Sequence, residues 1–292
     1  MRSQVSTVPK TYSETKGNEE SATASGGDAA LPPPPAPSRN WRLYGNLTTQ
    51  ALRIGVLVLV CGLWQLSTSL GWVDPFLVST PWDVARFLVS SLSSGDIWPH
   101  VQATVTATLI AFVVGSLAGI VTGLVLSVSP RLNAVLDPYL TIANAMPRVA
   151  LAPLFLLWFG LGQTSKVMMG ISTGYFILVL NTHAGVKAID PDLKTICHVM
   201  GANRLQMFTK LILPAAVPAI FAGLRLSVVY SLLGVVLAEM LASQAGMGQL
   251  LQYYAGLFQV QGVFGVLICL SLLAVAGTAV VGAVENRILR WQ

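Results

Sequence analysis

Six stretches of the chain stay apolar for long enough to cross about 30 Å of hydrocarbon, which takes about 20 residues of helix. They fall at 54–73, 101–129, 138–160, 167–186, 215–240 and 262–284. The third is interrupted by Pro147, Arg148 and Pro153, so its longest unbroken apolar run is too short to cross alone. Two shorter stretches read as helices lying flat at the membrane surface. In 80–94, Thr80 caps, Pro81 suits the first helical position and Asp83 completes a capping-box-like start. Val84, Phe87, Leu88 and Leu92 then form one apolar stripe. In 246–258, Leu250, Leu251, Tyr254 and Leu257 stand beside Gln249, Gln252 and Gln259. Both pieces read as covers for the helix bundle.

Residues 1–45 lack this pattern. They are rich in Ser, Thr, Ala, Gly and Glu and carry the run Pro32-Pro33-Pro34-Pro35-Ala36-Pro37, which predicts a disordered, proline-rich cytoplasmic tail ahead of a membrane domain at 46–292. No apolar segment with a cleavage site begins near Met1, so the tail does not read as a secretory signal.

Composition strengthens the membrane reading. Of 292 residues, 54% are hydrophobic and only 10% charged, whereas a soluble domain carries about a quarter charged. An ordinary cytosolic enzyme is thereby excluded. Lys and Arg (17) exceed Asp and Glu (12), and their placement speaks of orientation, not of nucleic acid. With the amino terminus inside, the inner side holds Arg39, Arg42, Arg53, Arg131, Lys187, Lys194, Arg204, Lys210, Arg287 and Arg290. The outer side holds Arg86 and Lys166, and residues 241–261 carry no charge. Positive residues collect on the cytoplasmic side, so both termini are expected there. Cys61, Cys197 and Cys269 lie far apart without metal-ligand spacing, which suggests neither a disulfide framework nor a zinc site.

The inner loop at 190–214 is patterned as structure. Asp190 caps a helix that opens with Pro191, and Asp192 favours the positive end of its dipole. That helix runs to about Met200 and stops at Gly201, which can take the left-handed conformation of a helix end. A second piece, Arg204 to Ile212, leads into Leu213-Pro214, where the fifth span begins. The result is a helix-turn-helix knob on the inner face, fit for a cytoplasmic partner or for packing on its own bundle.

The spacing from Gly201 through Leu211 to Leu213-Pro214 resembles the EAA loop of membrane subunits of binding-protein-dependent ABC importers. The strings MGANRLQMFTKLILPAAVPAIFAGLRLS (200–227), AMPRVALAPLFLLWFGLG (145–162), NTHAGVKAIDPDL (181–193) and AEMLASQAGMGQLL (238–251) are similar to the nitrate/sulfonate/taurine branch of these permeases. The likeness covers about residues 50–292. The Glu-Ala-Ala triplet is replaced by Thr195-Ile196-Cys197, so a glutamate often found at the head of this helix is missing.

The resemblance implies an all-α, type I importer permease with about six spans in a bacterial inner membrane. It implies a second copy of the chain, two cytosolic ATPases on the loop, and a periplasmic or lipid-anchored substrate-binding protein. ATP and Mg would sit on the ATPases, with no cofactor on this chain. The short helix around Ile196 to Asn203 would be the coupling helix, contacting the ATPase through Asp192, Ile196, Cys197, Met200, Gly201, Ala202, Asn203 and Arg204. Cargo would be a small anion: a sulfonate, taurine, nitrate, bicarbonate, an aromatic carboxylate or a pyrimidine-type precursor. The Gly160–Lys166 string lacks the glycine a phosphate loop has before its lysine and falls on the outer face.

Charged groups inside a bilayer are costly and each needs a reason. Arg148 beside Pro147 can face an anion in a broken helix, or bond freed carbonyls, Asp137 or another span. Arg225 and Glu239 are 14 residues apart, about 21 Å along one helix, so each needs a partner elsewhere. Glu239, near the outer end, reads as interfacial. Together with these, Asn144, Asn181, His183, Ser227, Tyr230 and Ser231 could line a polar path if their faces converge. Gly115, Gly119 and Gly123 form a small-residue packing face. A secondary transporter or channel without an ATPase is the main alternative; it would call for proton- or sodium-linked carboxylates within the spans. A membrane enzyme would need a clustered catalytic constellation, and no such constellation stands out in the sequence.

Overall fold

The computed structural model of the chain describes residues 39–289, with side chains from residue 49 onward and that of Ala242 left out. The structure divides at Gly55 into two units. The described part of the first is the opening of helix α1 (Arg39–Ser69). Residues 1–38 of the expected tail lie outside the described residues, whereas 39–45, assigned to that tail from sequence, are the first turns of α1.

The second unit continues with α2 (Pro75–Val78), α3 (Pro81–Ser94), α4 (Trp98–Val128), α5 (Pro130–Ala145), a 3₁₀ turn at Arg148–Leu151, and α6 (Ala152–Phe159). It proceeds through α7 (Gln163–Lys187), α8 (Pro191–Val199), α9 (Arg204–Met207), a π turn at Phe208–Ile212, α10 (Leu213–Ala242), α11 (Met247–Gly256) and α12 (Val260–Ile288). Among the described residues there is no strand. By length and composition, α1, α4, α7, α10 with its lead-in, and α12 can cross a membrane; α5 and the Arg148–Phe159 segment, bent by 85°, meet the same test only together, as one broken span or a re-entrant loop. The expected third span is thus two half-helices: Pro147 lacks the N–H that continuity from α5 needs, and Pro153 stands in the first turn of α6, where none is called for. The first span ends at Ser69, short of the expected residue 73.

The centre of the bundle is α7 packed between α4 and α10. Small residues bring these helices together. A Cβ on Gly119 would lie 2.6 Å from Leu178 Cβ and 2.7 Å from the Tyr175 carbonyl, and one on Gly123 would lie 2.7 Å from Thr182 Cβ. The glycine repeat of α4 is therefore a helix-packing face. On the other side, Gly174 of α7 faces Ser227 and Ser231 of α10, both fully buried. The flat helices cover this bundle: Phe87 of α3 meets Tyr254 of α11 edge-on at 5.1 Å, and both pack against glycines of α12. Thr80 caps α3, its hydroxyl accepting the Asp83 N–H at 3.2 Å.

Candidate coupling loop and translocation path

The loop between α7 and α10 is tied at each turn. Asp190 accepts the Asp192 N–H at 2.9 Å and so starts α8. At the other end Gly201 takes φ +77°, while its N–H bonds the His198 carbonyl at 3.0 Å and that of Ala202 bonds Cys197 at 3.0 Å. Asn203 then opens α9 through a reciprocal capping box with Gln206, at 2.8 and 2.9 Å. The helix expected over Ile196 to Asn203 thus ends at Val199, and 200–203 is a turn, because the left-handed Gly201 cannot sit inside a right-handed helix. Thr195 turns its hydroxyl back to the Pro191 carbonyl at 3.0 Å.

What the knob presents is apolar. Val199 and Met200 are each 80% exposed, with Ile196 and Leu205 also exposed. Contiguous apolar side chains on a loop that its caps hold rigid are the mark of a contact surface. Behind the knob, Arg131, His198, Asn203 and Arg204 line a recess of about 950 Å³ between the α4–α5 elbow and the loop. The second helical piece expected over Arg204–Ile212 is α9 followed by the π turn, running unbroken into α10. Pro214 has no N–H to give the Lys210 carbonyl, and the wide turn stands where that bond would be.

The polar residues of the spans sort into two groups. Asn144, Arg148, Asn181 and Tyr230 line one cavity of about 410 Å³ with Thr173, Ile177, Leu180 and Leu226. Arg148 is held there by the Asn144 side chain at 2.9 Å, by the Ser172 carbonyl, and by the face of Phe176, 4.4 Å from its guanidinium carbon. The guanidinium thus bonds carbonyls and also borders the cavity, and no carboxylate stands among the lining residues. The cavity wall is fixed in part by Thr173, whose hydroxyl donates to the Tyr230 carbonyl at 2.8 Å.

Ser227, Ser231, Arg225 and Glu239 do not join them. Both serines are sealed between helices, and Ser227 donates to the Gly174 carbonyl at 3.3 Å. Arg225 pairs with Glu285 of α12, an acid just beyond the span expected from sequence. Glu239, expected near the outer end of its span, is 1% exposed and paired with Lys166 of α7 at 3.5 Å. Thr104 of α4 donates to its carboxylate, with 2.8 Å to the nearer oxygen, and the Gly248 N–H donates at 3.0 Å. Lys166 also reaches the Ala245 carbonyl at 2.5 Å, and Thr104 accepts the Met247 N–H at 2.8 Å. The turn at 243–248 is thereby fastened to α4, α7 and α10. From sequence, Lys166 counted only as an outer-side charge. The signal for the pair was that both residues sit at the same outer level of neighbouring spans. His183, considered for the path, bonds Ser127 near the other ends of α4 and α7.

Residues 111–290 match the family described as binding-protein-dependent transport system inner membrane component. The riboflavin transport system permease protein RibX of Chloroflexus aurantiacus is 35% identical over 236 residues, covering 81% of this chain and 88% of that protein. The taurine transport system permease protein TauC of Escherichia coli is 26% identical over 86% of this chain and 92% of its own length. The putative aliphatic sulfonates permease SsuC of Bacillus subtilis is 29% identical over 80% and 84%. Among solved structures, the inward-facing MetNI methionine ABC transporter aligns with TM-score 0.56 at 17% identity, over 75% of this chain and 98% of that one. A bacterial alginate ABC importer aligns with TM-score 0.55 at 18% identity, over 85% and 99%. The chain belongs to the binding-protein-dependent transport family and is a multi-pass membrane permease of an ABC importer with the fold of those transporters.

Proposed function

We propose that this permease works in a bacterial inner membrane as one of two copies forming a path, with both termini cytoplasmic. Two separate ATPases dock on 190–214, and a periplasmic or lipid-anchored binding protein delivers a small anion. ATP and Mg belong to the ATPases. Asp192, Ile196, Cys197, Met200, Gly201, Ala202, Asn203 and Arg204 make up the docking loop, and Asn144, Arg148, Asn181 and Tyr230 the polar path. The observation that carries this reading is the knob: capped at both ends, yet exposing Ile196, Val199 and Met200. An apolar tip of that kind gains most by entering a groove on another protein. For cargo, the support is Arg148, a cation bordering a cavity with no acid among the lining residues.

The test is purification of the tagged chain in mild detergent and identification of any ATP-binding subunit that comes with it. Retention by the unaltered chain and loss with Ile196→Glu or Met200→Glu is expected. Both side chains are exposed, so the fold does not depend on them. A chain that moves solute in vesicles without ATP would refute the reading and favour secondary transport. Because one relative is named for riboflavin, a heteroaromatic cargo is the second reading. Competition between taurine and riboflavin for uptake separates the two.

A further inference from the structure

A second, smaller cavity of about 230 Å³ opens where α4 and α7 end, lined by Ser127, Asn133, His183, Lys187 and Lys194 among others. Its charged lining is wholly basic, and among the described residues neither lysine has an ion-pair partner. Asp190 and Asp192, on the turn and helix that carry Lys194, are not in the lining. The remaining groups are hydrogen-bonding side chains. Ser127 donates to the Gly123 carbonyl at 2.7 Å and contacts His183 Nδ1 at 3.0 Å.

The position along the spans matters as much as the charge. Ser127 and Lys187 stand at the last turns of two helices long and apolar enough to cross a membrane, and the ends of such helices reach the headgroup level. Basic pockets between spans at the cytoplasmic boundary are suited to anionic headgroups. Lys194 comes from α8, which has little packing of its own against α4, α5 or α7.

We infer that this cavity is a binding site for a phosphate group, of the kind an anionic phospholipid carries, gripped by Lys187, Lys194 and Asn133. Its occupant ties α8 to the ends of the spans and so steadies the knob. The inference rests on the proposed orientation and on α8 as the docking helix. At about 1 kcal/mol per lysine near an anionic surface, losing both weakens retention about 30-fold.

The experiment uses the full chain in nanodiscs of phosphatidylcholine alone or with phosphatidylglycerol, followed by native mass spectrometry and thermal unfolding. Bound phosphatidylglycerol and a raised midpoint in wild type, lost in Lys187→Gln/Lys194→Gln and kept in Lys187→Arg/Lys194→Arg, support a lipid headgroup. The same midpoint rise from inorganic phosphate in phosphatidylcholine discs supports the site with a free anion as occupant. Equal retention by wild type and the double Gln variant overturns it. ATPase co-purification from the same preparations keeps the two readings apart. If wild type holds the lipid but no ATPase, the docking assignment fails and the phosphate site stands.

Discussion

Replacing Glu239 by Ala removes one partner of a buried pair and leaves the other where it was. Lys166 is 5% exposed and would keep only the Ala245 carbonyl. The Thr104 hydroxyl and the Gly248 N–H would lose their acceptor in a place water does not reach. Stripping one member from such a pair costs about 3–5 kcal/mol, chiefly through the charge left behind. The orphaned N–H adds about 1–3 kcal/mol. Lys166→Met is cheaper, because Glu239 would still accept from Thr104 and Gly248. The double change to Lys166→Met/Glu239→Ala removes both charges, so it should cost about 2–3 kcal/mol less than the two single costs combined. Reversible unfolding in mixed micelles with dodecyl sulfate, followed by tryptophan fluorescence, measures all three variants and the starting protein. Additivity within about 0.5 kcal/mol would show that the two groups do not interact, and the pairing argument would fail.

Three further outcomes follow from single positions. Gly119→Ala should lower stability by about 1–3 kcal/mol, since its new methyl meets Leu178 and a backbone carbonyl below 3 Å. Gly115→Ala, whose nearest neighbour would stand at 3.4 Å, should be tolerated, and unfolding midpoints compare the pair. Gly201→Ala should cost about 1–2 kcal/mol at φ +77° and fray the end of α8, with Gly201→Asn tolerated better; transport-coupled ATP hydrolysis in proteoliposomes reports it. Arg148→Met should lower uptake of an anionic cargo at least tenfold while ATPase docking persists, and vesicle uptake beside co-purification reads both.

The helices and their caps were legible because they depend on neighbours in sequence. Thr80, Asp190 and Gly201 act on residues within four positions, so their roles could be read from spacing. The glycine ladder of α4 was legible for the same reason, since a period of four puts small residues on one face. Partners across the bundle were not. Glu239 and Lys166 are 73 residues apart, and nothing local in either helix says which neighbour it meets. The path residues show the same limit: Ser231 and Tyr230 are adjacent in sequence, yet one is sealed against α7 and the other borders the cavity. Polarity marked both, and only the rotation of α10 separates them. The block AEMLASQAGMGQLL is explained by the fold as well. A Cβ on Gly246 would fall 2.1 Å from the Glu239 carboxyl carbon, so the acid and the glycine occupy one space.

The arrangement of α10 says how a push at the knob would reach the cavity on the proposed reading. Arg204–Leu241 forms one nearly continuous helical rod of 38 residues, with the π turn and Pro218 as its soft places. At 1.5 Å per residue that is about 57 Å, long enough to join the loop to the opposite face. Its far end is fixed by the Glu239 network to α4, α7 and the turn at 243–248. A rod anchored there and pushed at the knob pivots about its anchored end, so displacement grows toward the cytoplasmic side. Leu226 and Tyr230 lie between the two ends and form one wall of the cavity. Asn144 and Arg148 form the other from the bent half-helices, which Pro147 uncouples from a straight span. The two walls therefore belong to different elements, with Thr173, Ile177, Leu180 and Asn181 of α7 between them. The Thr173 bond to the Tyr230 carbonyl keeps α7 moving with α10. Arg148 also bonds α7 at Ser172, so movement of that pair draws directly on the cation that borders the path.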